Sequence, residues 1–315
     1  MKNVFFIVGP TAVGKSEIAA EVASVCNGEV ISADAFQIYA GLDLLTAKPD
    51  EATQTKAPHH LIGTTAVTEQ MDAGRFRRLA TRAINDVTLR GKHPFVVGGS
   101  GLYIKALTHG LSPLPPGNPE LRKNLEALSI PELLLQLAEL DRETARSIDP
   151  KNKHRVLRAV EICLLTGRPA SALRQLAAPP TEARGVTLLR DRAELYRRID
   201  QRVEEIFANG VIEEVRAIGN VGATAAKTLG LTDIRDLLIG KISQRECIAR
   251  IQQASRRYAK RQLTWFARQT NFEPLNLSRC GSSEAVELIA RIVERGKCGR
   301  GLSAPIEGDA GKSAR

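Results

Sequence analysis

At 315 residues the chain is long enough to bury a sizeable core and to hold two domains, or one domain with an insertion. No apolar run approaches the roughly 20 residues that cross a membrane, and Met1-Lys2-Asn3 leads straight into a candidate strand, so a cytoplasmic rather than a membrane-bound or secreted protein is expected. The five cysteines (Cys26, Cys163, Cys247, Cys280, Cys298) form no Cys-x-x-Cys pair, which argues against zinc and a disulfide scaffold, while a net charge of +10 favours a polyanionic partner such as nucleic acid.

The first apolar run, Val4 to Val8, precedes "GPTAVGKS", and a helical stretch comes next over Ser16 to Val25. Val30-Ile31 leads into Ser32-Ala33-Asp34, and Phe95-Val96-Val97 into Gly98-Gly99. Short, continuous and β-branched, these runs read as buried parallel strands. A helix over Ala73 to Arg90 opens after Asp72. Alternating strands and helices predict an α/β fold: a P-loop parallel-sheet core with helices on both faces.

The composition then shifts. Pro113, Pro115, Pro116 and Pro119 break the chain, and Leu133, Leu137 and Leu140 share one helical face between Leu121 and Leu165. Pro169, Pro179 and Pro180 close this stretch. Beyond it come a strand over Gly185 to Leu189, a helix carrying Leu195, Ile199, Val203 and Ile206, and a second long helix from about Arg245 to Arg268. The expected organisation is therefore a core, first part, over 1–112, a helical insertion domain over 113–180, the rest of the core over 181–295, and a disordered tail over 296–315.

The loop meets the pattern G-x-x-x-x-G-K-[ST] through Gly9, Gly14, Lys15 and Ser16, with the strand before and the helix after that the pattern requires. Its glycines let backbone N–H groups converge on phosphate oxygens, and the helix N-terminus adds positive potential. Lys15 would neutralise a terminal phosphate and Ser16 would hold Mg²⁺. Asp34, at the end of the second strand, could be a Mg²⁺ ligand, a general base or the cap of the next helix. No other run of four apolar residues ends in Asp, which weakens ATP hydrolysis. From Arg250 to Arg268 six basic residues and no acidic one interleave with Tyr258, Trp265 and Phe266. Such a stripe suits phosphate contacts and base stacking, with Arg257 and Arg261 as candidates. The alternative places the aromatics in the core and the arginines in water. His59-His60 reads as a structural pair.

"GPTAVGKS", "ISADAFQIYAGLDLLTAKP", "PHHLIG", "GGSGLYIKAL", "RVLRAVEICLLTGRPAS" and "RRYAKRQLTWF" occur in an order that resembles the bacterial tRNA dimethylallyltransferase (isopentenyltransferase) family, over roughly residues 4 to 275. The resemblance implies transfer of a dimethylallyl group from dimethylallyl diphosphate to the exocyclic amine of the adenosine 3′ of the tRNA anticodon, with diphosphate released and no ATP required. It implies a donor site at Gly9, Pro10, Thr11, Ala12, Val13, Gly14, Lys15 and Ser16, with Mg²⁺ as cofactor, and Asp34 as the base. Thr11 and Lys15 would act with it, and Arg202 or Arg198 would add positive charge. For tRNA, its anticodon stem-loop above all, it implies Asp34, Ala35, Phe36, Gln37, Ser100, Arg122, His154, Arg155, Val156, Leu157 and Arg158. A monomer is expected. The sequence departs from the family pattern at Ala35, Ser100, Lys151-Asn152 and Leu229-Gly230-Leu231. The rival readings are a P-loop small-molecule kinase, a prenyltransferase acting on free adenine nucleotides, and an RNA-binding protein without catalysis.

Overall fold

Four strands with short apolar stretches pair side by side and make the middle of the sheet. The computed structural model of the protein describes residues 4–175 and 182–298. Its strands are β1 (Phe5–Val8), β2 (Gly28–Ser32), β3 (His59–His60), β4 (His93–Gly98), β5 (Arg184–Leu189) and β6 (Glu273–Asn276). They form one parallel sheet in the order β3-β2-β4-β1-β5-β6. The helices are α1 (Lys15–Val25), α2 (Glu51–Lys56), α3 (Ala73–Leu89), α4 (Gly101–Thr108), α5 (Pro119–Glu126), α6 (Ile130–Leu140), α7 (Arg142–Ser147), α8 (Lys153–Thr166), α9 (Ala170–Gln175), α10 (Arg192–Ala208), α11 (Val211–Ala217), α12 (Leu231–Leu238), α13 (Gln244–Gln269) and α14 (Ser282–Cys298).

Phe5, Ile7, Val30, Phe95, Val97, Val186 and Leu188 alternate along their strands and pack with α1, α10 and α14 in one apolar cluster. This is the period-2 face of a sheet meeting the apolar stripes of helices, the main source of stability here. Local chemistry sets the helix ends. The Asp72 carboxylate accepts the Arg75 N–H at 2.7 Å to open α3.

Two short edge strands are not legible as strands in the sequence. His59-His60 is β3: His60 Nε2 lies 2.6 Å from Glu29 Oε2, so the pair is structural as expected. Glu29 is 3% exposed, and Arg90 and Lys92 also reach it, at 2.6 and 3.0 Å. Burial alone would raise its pKa, but the bonds from His60, Lys92 and Arg90 outweigh it and hold the group down at about 2. Its folded-state pKa is depressed, so this stabilisation is fully present above about pH 4.5 and fades as pH falls toward about 2. Glu29→Gln is expected to cost about 2 kcal/mol near neutrality, discounted because Arg90 and Lys92 are partly in water, and progressively less in acid. Urea unfolding of both proteins at two pH values on either side of that range checks this.

Contacts divide the chain into two compact units, Met1–Ile104 with Ala183–Arg315, and Lys105–Glu182. Among its described residues the second holds helices and no strand, and it starts at Lys105 rather than 113. The proline-rich stretch belongs inside it as the approach to α5, where Asn118 accepts the Leu121 N–H at 3.0 Å and Pro119 opens the first turn. Its core contains Leu125, Leu133, Leu137, Val156, Leu157 and Val160, with Leu140 packed at the margin. α6 opens on a capping box between Ser129 and Glu132.

This unit corrects several residues assigned to tRNA. Val156 and Leu157 are buried in its core, because the inner stripe of α8 is the surface that α6 packs on, and they present no surface to RNA. Arg122 donates from Nε to Glu161 at 2.9 Å, and Arg158 donates to Glu161 at 2.5 Å and also bonds the Pro115 carbonyl. Glu161 is fully buried, so the two arginines neutralise an internal charge. His154 and Arg155 are exposed on the first turn of α8, which Asn152 caps.

α14 carries helix through Cys298, past the expected start of a disordered tail at 296; the rest of that tail, like Pro179 and Pro180, lies outside the described residues. No helix among the described residues is long and apolar enough to cross a membrane.

Candidate active site

β1 delivers the chain into the phosphate loop, and α1 begins at Lys15 directly behind Gly14. Gly14 has φ +104°, a left-handed value that glycine adopts without strain. Lys15 Nζ donates to the Pro10 carbonyl at 2.7 Å, so the ammonium folds back over the loop. Val13 is fully buried and offers a ligand only its backbone.

Three other elements pin this loop. From α10, Arg198 Nε donates to the Ala12 carbonyl at 2.9 Å and Arg202 Nη1 to Thr11 Oγ1 at 3.0 Å. Arg190, just after β5, donates from Nε to the Val13 carbonyl at 2.9 Å. From α13, Gln262 Oε1 accepts the Thr11 N–H at 2.9 Å while its Nε2 donates to the Gly99 carbonyl at 2.9 Å. The sequence points to Arg198 and Arg202; it does not point to Arg190 or Gln262. Gln262 carries a signal nonetheless, since it shares the buried stripe of α13 with Ile251, Ala259 and Phe266.

Asp34 lies two residues beyond the end of β2, where the chain has left the sheet. Its Oδ1 accepts the N–H groups of Phe36 and Gln37 at 2.9 and 3.3 Å. Of the three roles open to Asp34, capping is thus met by one oxygen, of a turn rather than a helix, and the turn makes no use of the second. Ser100 is buried and its Oγ accepts the Ala35 N–H at 2.9 Å, so it holds this turn from β4's exit. Gln37 Nε2 donates to the Ala47 carbonyl at 3.0 Å.

Thr11, Lys15, Ser16, Asp34 and Arg202 face one cavity of about 610 Å³, whose remaining wall includes Leu45, Val203, Ile206, Leu229 and Ile251. One part of it is charged, another apolar. Burial pushes the Lys15 ammonium down to about 8, the Arg202 charge acts the same way, and Asp34 opposes both. Burial likewise lowers Arg202, against the pull of Asp34. Tyr258 also lines the cavity, its phenol pushed up to about 12 by burial and by the Asp34 charge. Among the described residues no group of three or more His, Cys, Asp or Glu could cage a metal. A hydroxyl at Ser16 with Asp34 on the same cavity does fit Mg²⁺, which takes few protein ligands and completes its shell with phosphate oxygens and water.

α13 is less uniformly free than its sequence suggests. Arg256 pairs with Asp200, and Arg250 with Glu246 at 2.7 Å. Phe266 is core, and Trp265 packs on Gly101, where a side chain would collide with the indole. Of the three aromatics Phe266 alone is buried in the core, while Tyr258 and Trp265 are half-buried. Arg257, Lys260, Arg261 and Arg268 are exposed, with the Arg261 guanidinium 5.6 Å from the Tyr258 ring centre. Leu231, in the segment that departs from the family pattern, is 1% exposed at the start of α12 and offers nothing for a base to stack on.

Residues 37–269 match the family described as IPP transferase. The chain is 41% identical over 276 residues to a protein named tRNA dimethylallyltransferase 1 of Citrifermentans bemidjiense, an alignment covering 85% of this chain and 90% of that one. It is 39% identical over 289 residues to the tRNA dimethylallyltransferase of Akkermansia muciniphila, covering 92% and 98%. Among solved structures, a tRNA delta(2)-isopentenylpyrophosphate transferase of Staphylococcus epidermidis superposes with a TM-score of 0.67 at 32% identity, covering 93% of this chain and 98% of that one.

Proposed function

The chain belongs to the IPP transferase family, and on that footing we propose that it transfers a dimethylallyl group from dimethylallyl diphosphate to the exocyclic amine of the adenosine 3′ of the tRNA anticodon. The observation that carries this reading is the cavity onto which Lys15, Arg202 and Asp34 all face, with an apolar wall beside them. A diphosphate with a short hydrocarbon tail matches both halves.

The adenine amine is a weak nucleophile, since its lone pair is delocalised into the ring. Asp34 takes the amine proton as the new C–N bond forms. The bond between the prenyl carbon and the diphosphate oxygen breaks, and diphosphate leaves intact with the bonding electrons. Loop amides, Lys15 and Arg202 stabilise the charge that develops there. When bound at Ser16, Mg²⁺ supplies further neutralisation of the diphosphate. Thr11, held by Arg202 and Gln262, keeps the loop in shape. ATP takes no part.

The exposed arginines of α13 supply sequence-independent phosphate contacts for the tRNA, and His154 and Arg155 are the remaining candidates on α8. Binding should therefore weaken steeply as salt rises, because each neutralised phosphate releases counterions. Replacing Arg257 and Arg261 together with Ala is expected to weaken tRNA binding and to flatten the salt slope by up to about one unit per lost contact. Donor affinity should hold. A salt titration of tRNA binding for both proteins, with AMP offered as a rival acceptor, checks this. AMP prenylated as well as an anticodon stem-loop, with tRNA affinity indifferent to salt and to these arginines, would assign a free-nucleotide enzyme instead.

A further inference from the structure

One wall of the donor cavity is an irregular loop, residues 43–48, held from behind by a residue outside the cavity. Glu214, on α11, accepts three successive backbone N–H groups: Asp43 and Leu44 on Oε2 at 2.7 Å each, and Leu45 on Oε1 at 2.9 Å. Three convergent, charge-assisted bonds from one short segment fix its path tightly. Without the carboxylate those donors would have to turn to water, and the segment would relax with them.

The fixed segment matters at both ends of the donor. Leu45 lies on the cavity and is buried. It packs so closely on the chain before α12 that a Cβ on Gly230 would fall 3.2 Å from Leu45 and 3.1 Å from Ile251. Leu45 thus closes the apolar wall together with Ile251 and Leu229. The next residue turns the other way: the Thr46 carbonyl accepts Arg202 Nη2 at 3.2 Å, and Arg202 in turn holds Thr11 of the phosphate loop. One carboxylate therefore places both the hydrocarbon wall and the anchor of the diphosphate arginine.

We propose that Glu214 is a positioning residue that sets donor selectivity, by holding Leu45 where the pocket accepts a five-carbon tail and excludes a ten-carbon one. This rests on the assignment of a prenyl diphosphate as the donor. A hydrocarbon pocket discriminates by the space it refuses, and a wall free to recede loses that discrimination before it loses chemistry.

The experiment measures kcat and KM of the full chain on an anticodon stem-loop, with five-carbon dimethylallyl diphosphate and with ten-carbon geranyl diphosphate. Wild type, Glu214→Gln and Leu45→Ala are compared, each first checked for a native circular dichroism spectrum. Glu214→Gln keeps an acceptor but loses the charge, and Leu45→Ala opens the wall without touching Glu214, so one readout survives if the other variant misfolds. The expected result is a fall of about tenfold or more in the five- over ten-carbon ratio of kcat/KM in both variants. In Glu214→Gln the KM for the five-carbon donor rises while kcat falls less. An unchanged ratio, whatever the absolute rates, overturns the proposal and leaves the prenyl-transfer reading standing. Absence of five-carbon transfer by the wild type overturns both.

Discussion

Asp34→Asn is expected to cut single-turnover transfer by roughly 10²–10⁴, the span usual for loss of a general base, while tRNA affinity changes by no more than a few fold. The substitution separates two roles of one side chain. Asn keeps an oxygen that accepts the Phe36 and Gln37 N–H groups, so the turn that Asp34 caps is preserved. The charge facing Lys15 and Arg202 disappears, and with it the proton acceptor. Rapid-quench measurement with enzyme in excess over RNA isolates the chemical step. A variant that transfers at near wild-type rate would remove Asp34 from the mechanism.

Lys15→Ala is expected to slow transfer by roughly 10²–10³ and to weaken donor binding, since one of the charges on the developing diphosphate is lost. The sign of its pH dependence comes from burial. The free enzyme holds Lys15 at about 8, below the ordinary lysine value, so the ammonium gives up its proton as pH rises through that point. Donor must then bind with uptake of a proton, and affinity should fall by up to about tenfold per pH unit above it. The Ala variant has no such group and should bind weakly but evenly across the same range. Isothermal titration from about pH 7 to about pH 9 in buffers of different ionisation enthalpy reads both the affinity and the proton. A wild-type affinity flat over that range would place Lys15 away from the diphosphate.

The legible and the hidden parts of the fold divide along physical lines. β1 is a continuous apolar run, β2, β4 and β5 each hold a short apolar stretch (Val30-Ile31, Phe95-Val96-Val97, Leu188-Leu189), and α10 and α13 carry apolar residues at three- and four-residue spacing, so local pattern locates them. β3 is two histidines and β6 is Glu-Pro-Leu-Asn; these edge strands are placed by pairing with a neighbour, and nothing in their own residues announces it. The phosphate loop is legible because its chemistry is written in consecutive residues. Gln262 and Glu214 are not, because each acts through a fold contact across many residues, 251 in the case of Gln262 and Thr11. Arg122 and Arg158 mislead in the opposite direction. A basic residue in a helical insertion suggests RNA until its partner is seen, and here the partner is the buried Glu161. The basic stripe of α13 is half legible: its charges are visible, but Asp200, on α10, which takes Arg256, is not.

The most direct test of prenyl transfer to tRNA is to incubate the protein with dimethylallyl diphosphate, Mg²⁺, ATP and an anticodon stem-loop, and to track all products by mass spectrometry. The expected result is a five-carbon gain on the adenosine 3′ of the anticodon, an equal amount of intact diphosphate released, and ATP unchanged. Phosphate released from ATP in step with the RNA, with no five-carbon gain on any adenosine, would contradict it.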